Sequence, residues 1–423
     1  MNVPSSAWSI SCSLCCCPAS ACFRRLAAEP TDSGHRDIVV CTLFLADPYW
    51  TKLLIPWYSD DTSVAILERC ERASTYRLHF HQKITADNSA FGGIHPARAI
   101  SSHQQNLSGL VNRSLWSLPD PEPSPTCDDG TCIGVSTCDG GQLEKRKPHF
   151  ISVTRGPGIT AALACGLDTA KALSVAWQVP LVGVNHMQAH ALTPRLDNAL
   201  DSRGYAQNAP SFPYLSLLVS GGHTLLVSSK SLCEHSILAS TTDIAVGDAL
   251  DKMARSILPE EDLDGSEIMY GRLLERYAFA QGEDHREYAP PRTRAEEIAS
   301  KPTKWGWALP IPLAATKDMS FSFAGLGSSV KRICDSRGKG MDRAERTDLA
   351  RESMRVAFEH LATRVVRAMK ELQHKTQTTT NLVLSGGVAS NRYLRFMCVF
   401  PYDQEARFSN GLIVCGLYSM LTG

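Results

Sequence analysis

His186 and His190, two imidazoles four residues apart, are the residues of this 423-residue chain whose type and spacing point most directly to chemistry. They lie in Val179-Pro-Leu-Val-Gly-Val-Asn-His-Met-Gln-Ala-His190, an apolar run that reads as a buried strand and opens into a helix with Asn185 at its N-cap. Residues four apart share one helix face with Cβ atoms about 5–6 Å apart, the spacing from which two ligands converge on one metal ion. Two half-buried surface histidines would have the same spacing, so the neighbouring motifs decide the weight of the pattern. Ser220-Gly-Gly-His223 and Ser385-Gly-Gly-Val-Ala-Ser-Asn391 each end an apolar strand, and their glycines let backbone N–H groups approach an anion. Asp60 and Asp61 stand at the mouth of another strand, where paired carboxylates are usually turn residues.

The elements that must position these groups alternate. Phe91-Gly-Gly-Ile-His-Pro96 leads into a helix through Leu115. Residues 149–154 read as a strand, Arg155-Gly-Pro-Gly158 as a tight loop and residues 159–177 as a helix before the histidine strand and helix. The second half repeats the alternation. Strands over 213–219 and 224–228 precede a helix over 242–254 bearing Asp248 and Asp251, a long amphipathic helix over roughly 348–374, and a strand at 381–384. Residues 117–147, with alternating prolines and acids, are expected to be a solvated loop with no core, and 281–310 another polar loop. This pattern predicts an α/β protein of two related halves, 36–195 and 210–423, that holds a nucleotide in a cleft with a metal near its phosphates.

With 43% hydrophobic residues the chain has enough apolar material for a large core. Its formal charge of zero removes any global argument for a polyanionic partner, which would need a local basic patch. No apolar run reaches the roughly 18 residues of a membrane-spanning helix, so no membrane role is expected. The fifteen cysteines are irregularly spaced, and Cys12-x2-Cys15 has no matching second pair for a zinc knuckle. Residues 1–35, rich in Ser, Cys and Ala, are similar in composition to an organellar transit leader.

Taken together and in order, Gly156-Pro-Gly158, Asn185-His-Met-Gln-Ala-His190, Ser220-Gly-Gly-His-Thr224, Gly247-Asp-Ala-Leu-Asp-Lys252, Ser320-Phe-Ser-Phe-Ala-Gly-Leu326 and Ser385-Gly-Gly-Val-Ala-Ser-Asn-Arg392 resemble the motifs of the tRNA threonylcarbamoyladenosine transferases, once called O-sialoglycoprotein endopeptidases. Phe91-Gly-Gly-Ile-His-Pro96 and the 258–271 segment resemble the fungal mitochondrial branch. The resemblance implies an actin-like, Hsp70-like fold of two duplicated RNase H-like lobes around a nucleotide cleft. It implies transfer of a threonylcarbamoyl group from threonylcarbamoyl-AMP to N6 of adenosine 37 in tRNAs reading codons that begin with A. It further implies a homodimer and a mitochondrial location, the cytoplasm being the alternative.

Carried over residue by residue, His186 and His190 would hold one divalent ion per subunit, iron, zinc or magnesium. Leu218, Val219, Ser220, Gly221 and Gly222 would line the phosphate site, and Gly386 and Gly387 would form the second loop. Asp251 and Asn391 would grip the ribose and adenine, and Asp60 and Asp61 would help the attacking amine lose its proton. Two departures stand out. Pro56-Trp-Tyr-Ser59 replaces the family's usual residues ahead of Asp60, and Ser409 stands where the family has a carboxylate ligand. A hydroxyl is a poor third ligand beside two imidazoles, so a non-catalytic relative with a degraded metal site is one alternative. A nucleotide-binding ATPase or phosphotransferase of the same superfold is another, which the histidine pair disfavours. A metallopeptidase would need a glutamate base after the first histidine, where this chain has Met187.

Overall fold

In a computed structural model, residues 36–42, 61–70, 75–87, 95–121, 130–137, 139–200, 210–263, 270–279, 288–376, 381–405 and 412–414 are described. They belong to two compact units, one ending before Pro210 and one beginning with it. Asp60, Ser409 and residues 1–35, with the leader expected there, lie outside the described residues.

The N-terminal unit starts with three antiparallel strands, β1 (Arg36–Thr42), β2 (Asp61–Cys70) and β3 (Thr75–Thr85). Helix α1 (Pro96–Leu115) starts at a proline, whose missing N–H is harmless in a first turn, and buries Ala99, His103, Leu107, Leu110 and Val111 against the sheet. A hairpin of β4 (Cys132–Ser136) and β5 (Gln142–Arg146) follows, then β6 (Phe150–Gly156), α2 (Thr160–Trp177), β7 (Leu181–Asn185) and α3 (His186–Leu200). The sheet order is β3-β2-β1-β6-β7, with β6 parallel to both β1 and β7. Ala162, Gly166, Ala170 and Ser174 are the buried residues of α2, spaced four apart, so the helix packs through a face of small side chains.

The C-terminal unit repeats the plan. Strands β8 (Tyr214–Val219), β9 (Thr224–Ser229) and β10 (His235–Ser240) form an antiparallel meander, and β11 (Asn381–Ser385) and β12 (Leu412–Val414) extend it in parallel to give the order β10-β9-β8-β11-β12. Between β10 and β11 run α4 (Val246–Ile257), α5 (Tyr270–Ala278), the short α6 (Arg294–Ile298), α7 (Ala324–Arg337) and α8 (Arg343–Thr376); α9 (Arg392–Glu405) comes after β11. Every residue of β8 and β9 is buried, as expected of strands covered on both faces, and that is why they read as continuous apolar runs rather than alternating ones. Leu215, Leu217, Val219, Leu382 and Leu384 supply the sheet side of the core; Met253, Leu274, Phe358 and Leu394 supply the helix side.

Two stretches differ from expectation. The segment 117–147 contains the β4–β5 hairpin, closed by Thr137 N–H donating to Gly141 O at 2.9 Å and by Gly140 at φ +83°. Arg146 on that hairpin meets Glu68 of β2 at 3.2 Å, and Val135 is buried, so the hairpin is part of the packed unit. Residues 288–310 place Tyr288, Trp307 and Leu309 in the core although their neighbours are polar. In both stretches a few large side chains anchor a segment whose average composition is that of a loop.

Candidate functional site

Asn185 ends β7, and its Oδ1 accepts from the N–H groups of Met187 at 2.9 Å and Gln188 at 3.2 Å, which caps α3 as expected of asparagine there. The cap fixes where α3 begins and hence which face carries the histidines. His186 is buried, His190 partly so, and their Nε2 atoms stand 3.0 Å apart with the rings edge to face. Two Nε2 atoms at that distance are joined either by one proton or by one metal ion. A metal–nitrogen bond of about 2.0–2.1 Å spans the gap at an angle of roughly 95°, within reach of tetrahedral or octahedral coordination. The donor set therefore fits a divalent ion. Among the described residues no third His, Cys, Asp or Glu completes a cluster with them.

Asp61 opens β2 instead of sitting in a turn. It is buried; its Oδ2 accepts from Lys83 Nζ at 3.0 Å and its Oδ1 from the Thr85 hydroxyl, both on β3. Strand β3 also touches α3, so the acidic strand end and the histidine helix share a neighbour. One residue on, the Thr62 hydroxyl bonds His103 Nδ1 at 2.7 Å with both residues fully buried, which makes His103 a core histidine.

In the C-terminal unit the two Ser-Gly-Gly loops leave the ends of adjacent parallel strands, β8 and β11. Leu218 and Val219 are strand residues, buried and paired in the ladder with Leu225 and Thr224. At Gly386, with φ +105°, an added Cβ would lie 2.2 Å from Val219 O, so only glycine lets the second loop pass the end of β8. The loops differ in what their N–H groups do. In the first, Gly222 and His223 donate to Ser220 Oγ at 3.3 and 3.0 Å, and Gly247 at the start of α4 packs on Ser220 and Gly221. In the second, among the described residues no acceptor meets the N–H of Gly387 or Val388, a Cβ on Gly387 would enter open space, and the buried Ser385 hydroxyl has no partner. The second loop is the one with donors to spare.

Asp251 is buried on α4, and its Oδ1 accepts from Gly271 N–H at 2.8 Å, tying α4 to the first turn of α5. Asn391 is buried too; its Oδ1 accepts from Leu394 N–H at 3.0 Å, capping α9, while its amide faces Met354 Sδ at 3.8 Å. Sequence reasoning passed over Asp243, whose carboxylate accepts from the Ser322 hydroxyl at 2.6 Å and from the N–H groups of Ile244, Phe323 and Ala324 at 2.6, 2.9 and 3.1 Å. It caps α7 from 80 residues away in sequence and holds the Ser320–Leu326 motif in place, so no local signal could reveal it.

A duplicated α/β protein with glycine loops at the carboxyl ends of parallel strands and an imidazole pair at the head of a helix has the parts that nucleotide binding and metal assistance require. The chain is a member of the tRNA N6-adenosine threonylcarbamoyltransferase family. Residues 138–403 match the family described as TsaD: tRNA N6-adenosine threonylcarbamoyltransferase. It is 35% identical over 362 residues to the mitochondrial tRNA N6-adenosine threonylcarbamoyltransferase of Schizosaccharomyces pombe, covering 84% of this chain and 74% of that one. With the enzyme of that name from Brucella suis it shares 31% over 339 residues, 79% of this chain and 77% of the other. Among solved structures it is similar to component A of the Acidaminococcus fermentans (R)-2-hydroxyglutaryl-CoA dehydratase, at 10% identity and a TM-score of 0.38 over 91% of this chain and 94% of that one.

Proposed function

We propose that this chain transfers the threonylcarbamoyl group of threonylcarbamoyl-AMP to N6 of adenosine 37 in tRNAs that read codons beginning with A. The observation that carries this reading is the family match across residues 138–403, a span that contains the histidine pair and both Ser-Gly-Gly loops. The mitochondrial name of the fission-yeast relative supports the same compartment for this chain.

In this reading Gly387 and Val388 donate to the adenylate phosphate, and Gly222 and His223 exchange the Ser220 hydroxyl for a phosphate oxygen. Asp251, which accepts from Gly271 N–H, also accepts from a ribose hydroxyl, and Asn391 holds the second loop in register by capping α9. His186 and His190 would hold the divalent ion, which when bound supplies Lewis acidity toward phosphate and carbonyl oxygens. The amine of the adenosine attacks the carbamoyl carbon, AMP leaves with the bonding pair, and the proton goes to a carboxylate, the role given to Asp60 and Asp61. The exposed face of α2, on which Val175 is 62% accessible beside Ala172 and Ala176, supports pairing with a second copy of the chain.

Mass spectrometry of tRNA nucleosides from cells lacking this chain tests the assignment. Threonylcarbamoyladenosine should vanish from organellar tRNA, return with the parent gene, and stay absent with His186→Ala or His190→Ala. Each purified variant should also have lost its metal. Undiminished nucleoside in the deleted cells would refute the assignment, and unchanged metal content in either variant would move the ion elsewhere.

A further inference from the structure

Apart from the loops and the histidine pair, the C-terminal unit contains a cavity of about 300 Å³ at the outer flank of α8, at the small end of the about 300–1,000 Å³ range of ligand pockets. Asp348, Arg351, Glu352 and Arg355 of α8 line it together with Lys304 and Tyr393. Its walls are tied together by hydrogen bonds. Arg355 donates to Glu352 at 2.6 and 2.7 Å and to Glu359 at 2.7 Å, and Arg351 Nε donates to Ala278 O at 2.7 Å. The loop bearing Lys304 is a tight turn in which Thr303 N–H and Oγ both donate to Trp307 O, with Trp307 buried and donating to Glu345 at 3.0 Å.

The polar groups at the mouth are of opposite kinds. Lys304, 69% accessible, lies 3.0 Å from Asp348 and 4.9 Å from the centre of the Trp305 ring, which is itself half-buried. Asp348 takes Trp305 Nε1 at 2.9 Å and Lys304 on Oδ2, and among the described residues nothing donates to its Oδ1. A bare phosphate would find Arg355 engaged by Glu352 and Glu359 and Arg351 by Ala278 O, and beside Lys304 it would meet the charges of Asp348 and Glu352. An apolar ligand would leave Asp348 Oδ1 unserved. A ribonucleotide has an anion for Lys304, hydroxyl donors for Asp348 Oδ1 and a flat base for Tyr393, the one aromatic residue of the lining, whereas the deoxy form lacks the 2′-hydroxyl donor.

We propose that this pocket receives one unstacked nucleotide of the tRNA substrate, with its phosphate on Lys304 and its ribose hydroxyl on Asp348. This rests on the reading of tRNA as the substrate. The cavity fits a single nucleotide, so it is one contact within a larger RNA footprint. Tyr393 lies two residues beyond Asn391 on α9, so the pocket and the second Ser-Gly-Gly loop share one helix start.

The test uses the full chain, an unmodified tRNA transcript and a DNA oligonucleotide of the same sequence, with affinity followed by fluorescence anisotropy across a salt series. Lys304→Ala should weaken tRNA binding about five-fold and lower the salt slope by about one. Asp348→Asn retains an acceptor for Trp305 and should narrow the preference for RNA over DNA. Both variants should bind a non-hydrolysable adenylate as the parent does. Parent-like affinity and slope in Lys304→Ala overturn the pocket while leaving the transferase reading intact. A response to Lys304→Ala seen with free AMP and not with tRNA overturns it as well, and a parent that binds no tRNA overturns both readings.

Discussion

At the residue scale, two neighbouring glycines in one loop separate packing from ligand binding. Gly386 has φ +105° and no room for a side chain beside Val219 O, whereas Gly387 faces open space. Gly386→Ala should therefore destabilise the protein by more than the about 1–3 kcal/mol of an ordinary strained backbone, read as a fall in the urea midpoint. Gly387→Ala should leave that midpoint in place and, on the proposed reading of the loop, weaken adenylate binding by an order of magnitude, because its methyl group would stand in the path of the phosphate. Equal adenylate affinity in Gly387→Ala and the parent would remove this loop from the site. The convergence of the two histidines on one helix face was legible from their spacing, as was the Asn185 cap, but their weight as a site came only from the neighbouring motifs. Asp251 and Asn391 were legible as polar residues of motifs, but the tasks they perform within the fold, holding Gly271 and capping α9, depend on partners that the motifs do not contain.

At the scale of elements, α8 carries a buried polar cluster that should make the C-terminal unit sensitive to acid. His360 is 3% accessible and accepts from Ser322 N–H at 3.2 Å with the edges of Phe321 and Phe323 nearby. Burial, reinforced by Arg364 and Arg294, pushes its pKa down to about 2. The unfolded chain would protonate the same ring near 6.5, so between pH 6.5 and 2 the unfolded state binds the extra proton. The stability that the neutral ring contributes is complete above pH 6.5 and is lost as pH falls, by roughly 2 kcal/mol between pH 6.5 and 5. Urea unfolding followed at pH 7 and pH 5 should show this loss in the parent, and His360→Gln should flatten the dependence by that amount. An identical pH slope in both proteins would assign the acid sensitivity to other groups. The same imidazole also supports the segment that Asp243 caps, so acid should loosen the start of α7 before it unfolds the helices of the core.

At the scale of the whole molecule, both units have the same strand plan, a meander of three antiparallel strands extended by two parallel ones, and each puts its chemical groups where a strand of the parallel part ends. In the N-terminal unit that end is β7 and the histidine pair; in the C-terminal unit it is β8 and β11 with their glycine loops. The exposed side of helix α2 carries Ala161, Ala172, Val175 and Ala176 together with the ion-paired Asp168 and Lys171, a mixed surface that suits cover by a second copy. Val175→Lys should shift sedimentation from dimer to monomer at micromolar concentration while the melting temperature stays within about a degree or two, since an exposed side chain has little to lose in folding. A parent that sediments as a monomer would end the pairing proposal.

The sequence by itself determined what local physics can determine: the asparagine cap ahead of His186, the convergence of two imidazoles on one helix face, the continuous apolar strands β8, β9 and β11, and glycines at strand ends. Each depends on residues within a few positions of one another. Only the tertiary structure decided that Gly386 must clear Val219, that Asp243 caps a helix 80 residues further on, that Asp61 is held by Lys83 and Thr85, and that a proline-rich stretch is anchored by a hairpin through Arg146 and Glu68. Those contacts join residues far apart in the chain, and which of many charged or small side chains becomes the partner is set by strand register and helix packing, which no single stretch encodes.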